Sequence, residues 1–240
     1  MSGNPLSHGE LEFILAVAWC AIGFSTYYFL SHSHTLLNLI KPRIKTFDEQ
    51  GNKIVLQRIL GLFFLGIVSG IIILILPGAV LGDYGLGISF TDFPPWWSYL
   101  LIPLILALGF KAASGPKNLI MYPQIRSKQW TPGRIFLSAL SWLAFLIGYE
   151  FLFRGFLLFA SLAIMDPLPA FVLNCALYAL AHVYKGPGET FGAIPVGLIL
   201  CYLTLITGNI WSAVLLHSLM ALSNEWFSIR FHPDMQFIRS

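Results

Sequence analysis

The fold class this sequence predicts is an all-α bundle that crosses a lipid bilayer about seven times, and three observations predict it. Of 240 residues, 57% are hydrophobic and 10% charged, where an ordinary soluble domain is roughly a quarter charged. Apolar segments recur along the chain between short polar breaks, with no internal repeat and no low-complexity tract. Lysine and arginine fall in alternate breaks, the asymmetry expected of loops on the two sides of a membrane.

The apolar segments run from about Phe13 to Leu30, Ile59 to Leu76, Trp96 to Phe110, Ile135 to Leu162, Leu168 to Tyr184, Phe191 to Ile206, and Ile210 to Phe227. Each approaches the length of about 20 apolar residues that a helix needs to cross the hydrocarbon. The first has neither a basic leader nor a small-residue cleavage pattern, so it reads as a retained span. The breaks carry turn chemistry at Pro77-Gly78, Pro94-Pro95, Gly115-Pro116, Pro132-Gly133, Asp166-Pro167 and Gly186-Pro187-Gly188. Trp96, Trp97 and Trp211 stand at segment ends, where an amphipathic indole favours the interface.

Lys41, Arg43, Lys45, Lys53 and Arg58 flank the first break, Lys111 to Arg134 fill the third, Lys185 marks the fifth, and Arg230 and Arg239 lie in the tail. The N-terminal stretch and the other breaks contain Glu10, Glu12, Asp83, Asp92 and Asp166 without a single Lys or Arg. This places the N-terminus outside and the C-terminus in the cytoplasm. The small size points to a bacterial plasma membrane as the location. A formal charge of +3 gives no reason to expect nucleic acid as a partner. Cys20, Cys175 and Cys201 all lie in apolar runs, which reads as buried packing thiols and not as a disulfide framework or a metal knuckle.

Glu150 and Arg154 break the pattern inside the fourth segment, GYEFLFRGFLLF. Their i, i+4 spacing puts both on one helix face, able to pair. Each would cost roughly 2.5 to 3.5 kcal/mol at mid-membrane if it faced lipid, so the pair should point into the bundle. An ion pair that simply fixes helix rotation is the plainer reading. The neighbouring segments add to it: NCALYALAHVYKG sets Asn174, Tyr178 and His182 on one stripe, and IWSAVLLHSLMALSNEW sets His217, Ala221 and Asn224 on another. A lone intramembrane histidine usually satisfies a hydrogen bond. Two, with a glutamate and an arginine, indicate a polar site.

In order and spacing, YEFLFRGFLL, YALAHVYKG and TGNIWSAVLLHS resemble the CPBP or Abi family, which includes CAAX prenyl endopeptidases and bacteriocin-processing proteins. The resemblance spans about Arg134 to Phe227. It implies an intramembrane endopeptidase in which a glutamate and the first histidine activate water, while the second histidine and the residue four positions later stabilise the oxyanion. By position, Glu150 and Arg154 match the second acid and the arginine of E-E-x-x-x-R, and His182 and His217 match the two histidines. Tyr178 stands in place of the usual Phe. The chain departs from the pattern at Tyr149, where the first glutamate would be, and at Ala221, where Asn or Asp would follow His217. The resemblance divides the single structural domain into N-terminal helices (1–133), a protease core (134–228) and a cytoplasmic tail (229–240).

A carboxylate paired with arginine is a poor proton acceptor. Glu189, in HVYKGPGETFG, is therefore the substitute base, working with His182, while Glu150 and Arg154 shape the site and His217 with Asn224 serves the oxyanion. For Glu189, a helix-start acid favoured by the macrodipole is the simpler reading. Depth arithmetic resists a compact site: Glu150 lies roughly 24 Å along a helix from Arg134, while His182 adjoins Lys185. Either the fourth helix starts below the membrane, or the stretch from Lys185 to Thr190 dips into a shielded cavity.

No cofactor is favoured. If zinc bound, its ligands would be His182, His217 and Glu150 or Glu189, but there is no H-E-x-x-H helix. His8, His32, His34 and His232 read as loop or solvated residues, and the G-x-x-x-G of Gly66 and Gly70 as helix packing. The expected partners are the lipid bilayer and a membrane-associated protein or peptide substrate. Two alternatives stay open: a family member without catalysis that acts as a scaffold or chaperone, and a proton-coupled transporter using the same buried groups.

Overall fold

The computed structural model describes residues 6–33, 35–36, 46–87 and 93–239. His34, Lys41, Arg43, Lys45 and Asp92 lie outside them.

Helix α1, His8–His32, starts with a capping box. The Ser7 amide donates to Glu10 Oε2 at 2.8 Å, and the Glu10 amide donates back to Ser7 Oγ at 3.3 Å. His32, expected in a loop, instead closes the helix, its Nδ1 lying 2.8 Å from the Tyr28 carbonyl. Helix α2, Glu49–Leu74, is capped by Asp48, whose Oδ1 accepts from the Gly51 amide at 2.8 Å. It widens into a π-helical turn over Leu62–Ile67. Helix α3 is Trp96–Ala113 and α4 the short Pro116–Met121.

Helix α5, Pro132–Leu162, contains 31 residues and a second π-helical turn at Phe151–Leu157. Helix α6, Pro167–Leu180, begins on a proline, as does α7, Pro187–Thr207. Their prolines need no amide partner at the first helical position. Before α7 the chain turns through Gly186 at φ 95°, a left-handed conformation open to glycine. Helix α8 is Trp211–Phe231.

Among the described residues, α1, α2, α3, α5 and α7 are each long and apolar enough to cross a membrane. The other two expected spans are present as helices of a different kind. Helix α6 is apolar but has only 14 residues, and α8, with 21, carries Glu225 and Arg230. The chain is therefore an integral membrane protein, all-α among the described residues apart from two strands of two residues each, β1 (Gln129–Trp130) and β2 (Gln236–Phe237), which pair in parallel.

The residues form two compact units, each drawn from separate stretches of chain. The first comprises Met1–Tyr27, Phe63–Pro94 and Gly148–Ala213. In it, Leu158, Ala170, Cys175 and Cys201 pack α5, α6 and α7 together. The second comprises Tyr28–Leu62, Pro95–Ile147 and Val214–Ser240. Here Phe47, Val55, Ile125, Trp130 and Ile229 form an apolar cluster that Met235 of the C-terminal tail joins.

Candidate functional site

Glu150 ends the regular part of α5, and Arg154 lies in the π-helical turn that follows. Both side chains are fully buried, with Arg154 Nε 3.4 Å from Glu150 Oε2. The guanidinium carbon lies 4.0 Å from the centre of the Tyr178 ring, a cation–π contact strengthened by the burial of both side chains. Among the described residues, Nη1 and Nη2 of Arg154 find no hydrogen-bond acceptor. The wider turn brings the Phe153 carbonyl within reach of α6, where Asn174 Nδ2 donates to it at 2.6 Å. Asn174 Oδ1 in turn accepts from Cys201 Sγ of α7 at 3.3 Å.

Two glycines allow this packing. A Cβ on Gly155 would stand 2.5 Å from Phe151 Cδ2 and 2.9 Å from the Tyr84 carbonyl oxygen. A Cβ on Gly197 would meet Cys175 Sγ at 3.1 Å and Tyr178 Cδ1 at 3.3 Å, with Arg154 Nη2 at 3.6 Å.

His182 follows the C-terminus of α6. Its amide donates to the Ala179 carbonyl at 3.0 Å, and its ring Nδ1 lies 2.8 Å from the Tyr178 carbonyl oxygen. A carbonyl can only accept, so Nδ1 carries the proton and Nε2 keeps its lone pair. The Tyr149 hydroxyl is 3.4 Å from the same Nδ1, and the two rings stand at 90°. Tyr149 in turn packs on Phe153 and Tyr178, with ring centres 4.8 Å and 5.7 Å away.

The first unit thus brings together Tyr149, Glu150, Arg154, Tyr178 and His182. The groups that the depth arithmetic set apart are in contact here, Tyr149 with His182 and Arg154 with Tyr178. Glu189 sits in the first turn of α7, partly exposed, with its carboxylate 3.2 Å from Lys185 Nζ. Thr190 Oγ1 donates to the His182 carbonyl at 3.2 Å and so ties that turn to the histidine.

His217 and Asn224 lie on α8, in the second unit. The Asn224 Oδ1 is buried without a hydrogen bond among the described residues. Ala221 packs against the cluster of Tyr122, Trp142 and Leu146. No three of the described His, Cys, Asp and Glu residues stand close enough to hold a metal ion.

Arg58 is a correction. Read as a charge flanking a break, it is 3% exposed and pairs with Glu225, which is fully buried. Glu225 was the signal in the sequence: an acid inside the last apolar segment requires a partner.

A polytopic helical membrane protein with a buried glutamate, arginine and histidine held at one place is a class that includes transporters and intramembrane hydrolases. Residues 129–223 match the family model described as type II CAAX prenyl endopeptidase Rce1-like. The resemblance to that family is confined to this segment, and Glu150, Arg154, His182, Glu189 and His217 all fall within it. No curated protein and no solved structure matches the chain.

Proposed function

We propose that the protein is an intramembrane endopeptidase that hydrolyses a peptide bond in a membrane-associated protein or peptide. The observation that carries this reading is the setting of His182: its Nδ1 is committed to the Tyr178 carbonyl, with the Tyr149 hydroxyl of α5 at 3.4 Å and the Arg154 guanidinium against the Tyr178 ring. Its Nε2 is the nitrogen able to take a proton from water. The water oxygen attacks the carbonyl carbon as that proton leaves, and the imidazolium returns a proton to the departing amine.

Glu189, at the start of α7, is the carboxylate proposed to assist His182. Glu150 and Arg154 give the site its fixed charges, and Arg154 on the Tyr178 ring keeps them in place. His217 and Asn224 are proposed as donors to the oxyanion of the tetrahedral intermediate.

One observation favours a second reading, a scaffold without catalysis. Ala221 occupies an apolar cluster where the resembling family carries a polar residue. Mass spectrometry of new protein termini separates the two readings, using membranes from cells expressing wild type, His182→Ala, Glu150→Gln or Glu189→Gln at equal levels. Termini found only with wild type are the expected outcome, and a Glu189→Gln sample identical to wild type removes that residue from the mechanism. Identical termini in all four samples favour the scaffold.

A further inference from the structure

The second unit holds a buried charge pair of its own. Arg58 on α2 and Glu225 on α8 are 3% and 0% exposed, with Nη2 3.4 Å from Oε1. Arg58 Nη1 donates to the Ser138 carbonyl at 3.2 Å, to Ser138 Oγ at 3.2 Å and to Ser141 Oγ at 3.0 Å, all on α5. Nη2 also donates to Gln124 Oε1 at 3.1 Å, and the Gln124 amide donates to Glu225 Oε2 at 3.2 Å. The Trp142 ring lies 4.1 Å from the guanidinium carbon. One planar group therefore joins α2, the chain before β1, α5 and α8.

These contacts are directional, because the donors of a guanidinium are fixed in its plane. Turning α8 about its axis, or sliding it by one residue, removes Glu225 from that plane. The apolar packing of Ala221 and Leu222 against the cluster of Tyr122, Trp142 and Leu146 imposes no such condition. Stability alone does not account for the pair, since apolar replacements of buried ion pairs are often as stable. Specificity of position does.

We propose that Arg58 and Glu225 are positioning residues for α8, holding the rotation and height at which that helix presents His217, about two turns before Glu225. The consequence for His217 rests on the endopeptidase reading, whereas the lock on α8 does not.

The neighbourhood of Gly109 on α3 supplies the test. A Cβ there would lie 3.8 Å from Ser223 Cβ on α8, the spacing of a disulfide. With Cys20, Cys175 and Cys201 changed to serine, Gly109→Cys with Ser223→Cys reports the place of α8 through its rate of crosslinking by copper phenanthroline. Arg58→Met with Glu225→Met removes both charges and keeps the bulk, while Glu225→Asp keeps the charge and withdraws it by one methylene. The double change is expected to melt near wild type yet crosslink about tenfold more slowly, as a less populated position of α8 requires. Glu225→Asp is expected to slow crosslinking several-fold. In the chain with its native cysteines, the same changes lower kcat and leave KM unaltered. Wild-type crosslinking in Glu225→Asp, or in a folded double variant, overturns the proposal. A wild-type chain that cleaves nothing overturns the endopeptidase reading instead, and the crosslinking rates still decide the lock.

Discussion

At His32 and at His182 an imidazole closes a helix in the same way. In each case Nδ1 lies 2.8 Å from the carbonyl of a tyrosine four residues earlier, and the ring centres are 4.6 Å apart. The contact satisfies a carbonyl left over at the helix end, so it does not by itself mark a functional histidine. His32 Nδ1 has a hydroxyl beside it too, that of its neighbour Ser31 at 3.1 Å; what distinguishes His182 is that its hydroxyl comes from another helix, Tyr149 of α5, and that the Arg154 guanidinium lies 4.0 Å from the centre of the Tyr178 ring. Tyr149→Phe keeps the ring packing and removes only the hydroxyl, so kcat should fall by no more than about tenfold with KM unchanged. His182→Ala should lose about 10²- to 10⁴-fold, both read as turnover of a cleaved peptide at equal amounts of folded protein. For stability, Arg154→Met leaves the Glu150 carboxylate buried without its counter-ion and should cost about 3 to 5 kcal/mol. Adding Glu150→Gln should recover most of that, as detergent unfolding curves would record. Glu150 and Arg154 were legible in the sequence because i, i+4 spacing brings them together within one helix. Arg58 and Glu225 were not, because only the folded chain joins residues so distant, and Arg58 sits beside a polar break where a solvated charge was the simpler reading.

The π-helical turn of α5 is an element the sequence did not reveal. Hydrophobic periodicity does not register one extra residue in a turn when every side chain around it is apolar. Its effects are nonetheless written in particular residues. Asn174 reaches the Phe153 carbonyl across from α6, and Gly155 leaves room for the Tyr84 carbonyl. Gly155→Ala must push either Phe151 or the Tyr84 backbone and should destabilise by about 1 to 3 kcal/mol. Gly197→Ala meets its neighbours at 3.1 to 3.6 Å and should cost less, because a thiol and a ring edge can give by a few tenths of an ångström. Melting temperatures of the two variants in one detergent would check the order, and a Gly155→Ala protein as stable as wild type would mean that the turn does not need the close approach. The helix starts at Pro167 and Pro187 were legible as proline breaks, whereas Ser7 and Asp48 begin helices well before the apolar runs from Phe13 and Ile59, because a polar first turn carries no hydropathy signal.

For the whole molecule, the alternation of basic and acidic breaks predicts which side of the membrane each loop occupies, and α6 is where that prediction is most exposed. At 14 residues it is about 21 Å long, short of the roughly 30 Å of hydrocarbon. Yet the charge pattern requires it to cross, since Asp166 before it belongs to an acidic break and Lys185 after it to a basic one. On that prediction the crossing has to extend beyond the helix proper, through His182 and the short 3₁₀ turn Val183–Lys185 that follow Leu180. Lys185, its side chain 16% exposed, lies 3.2 Å from Glu189, and a long cationic side chain at an interface can cover its stem while its head stays in polar surroundings. Single cysteines at Asp166 and Lys185, placed in a chain whose three buried native cysteines are replaced by serine, make the crossing measurable. A membrane-impermeant maleimide applied to intact cells should label Asp166→Cys and spare Lys185→Cys, with the reverse in inside-out vesicles. Labelling of both in intact cells would make α6 a re-entrant hairpin arm, and His182 would then open toward the outside and not toward the cytoplasm.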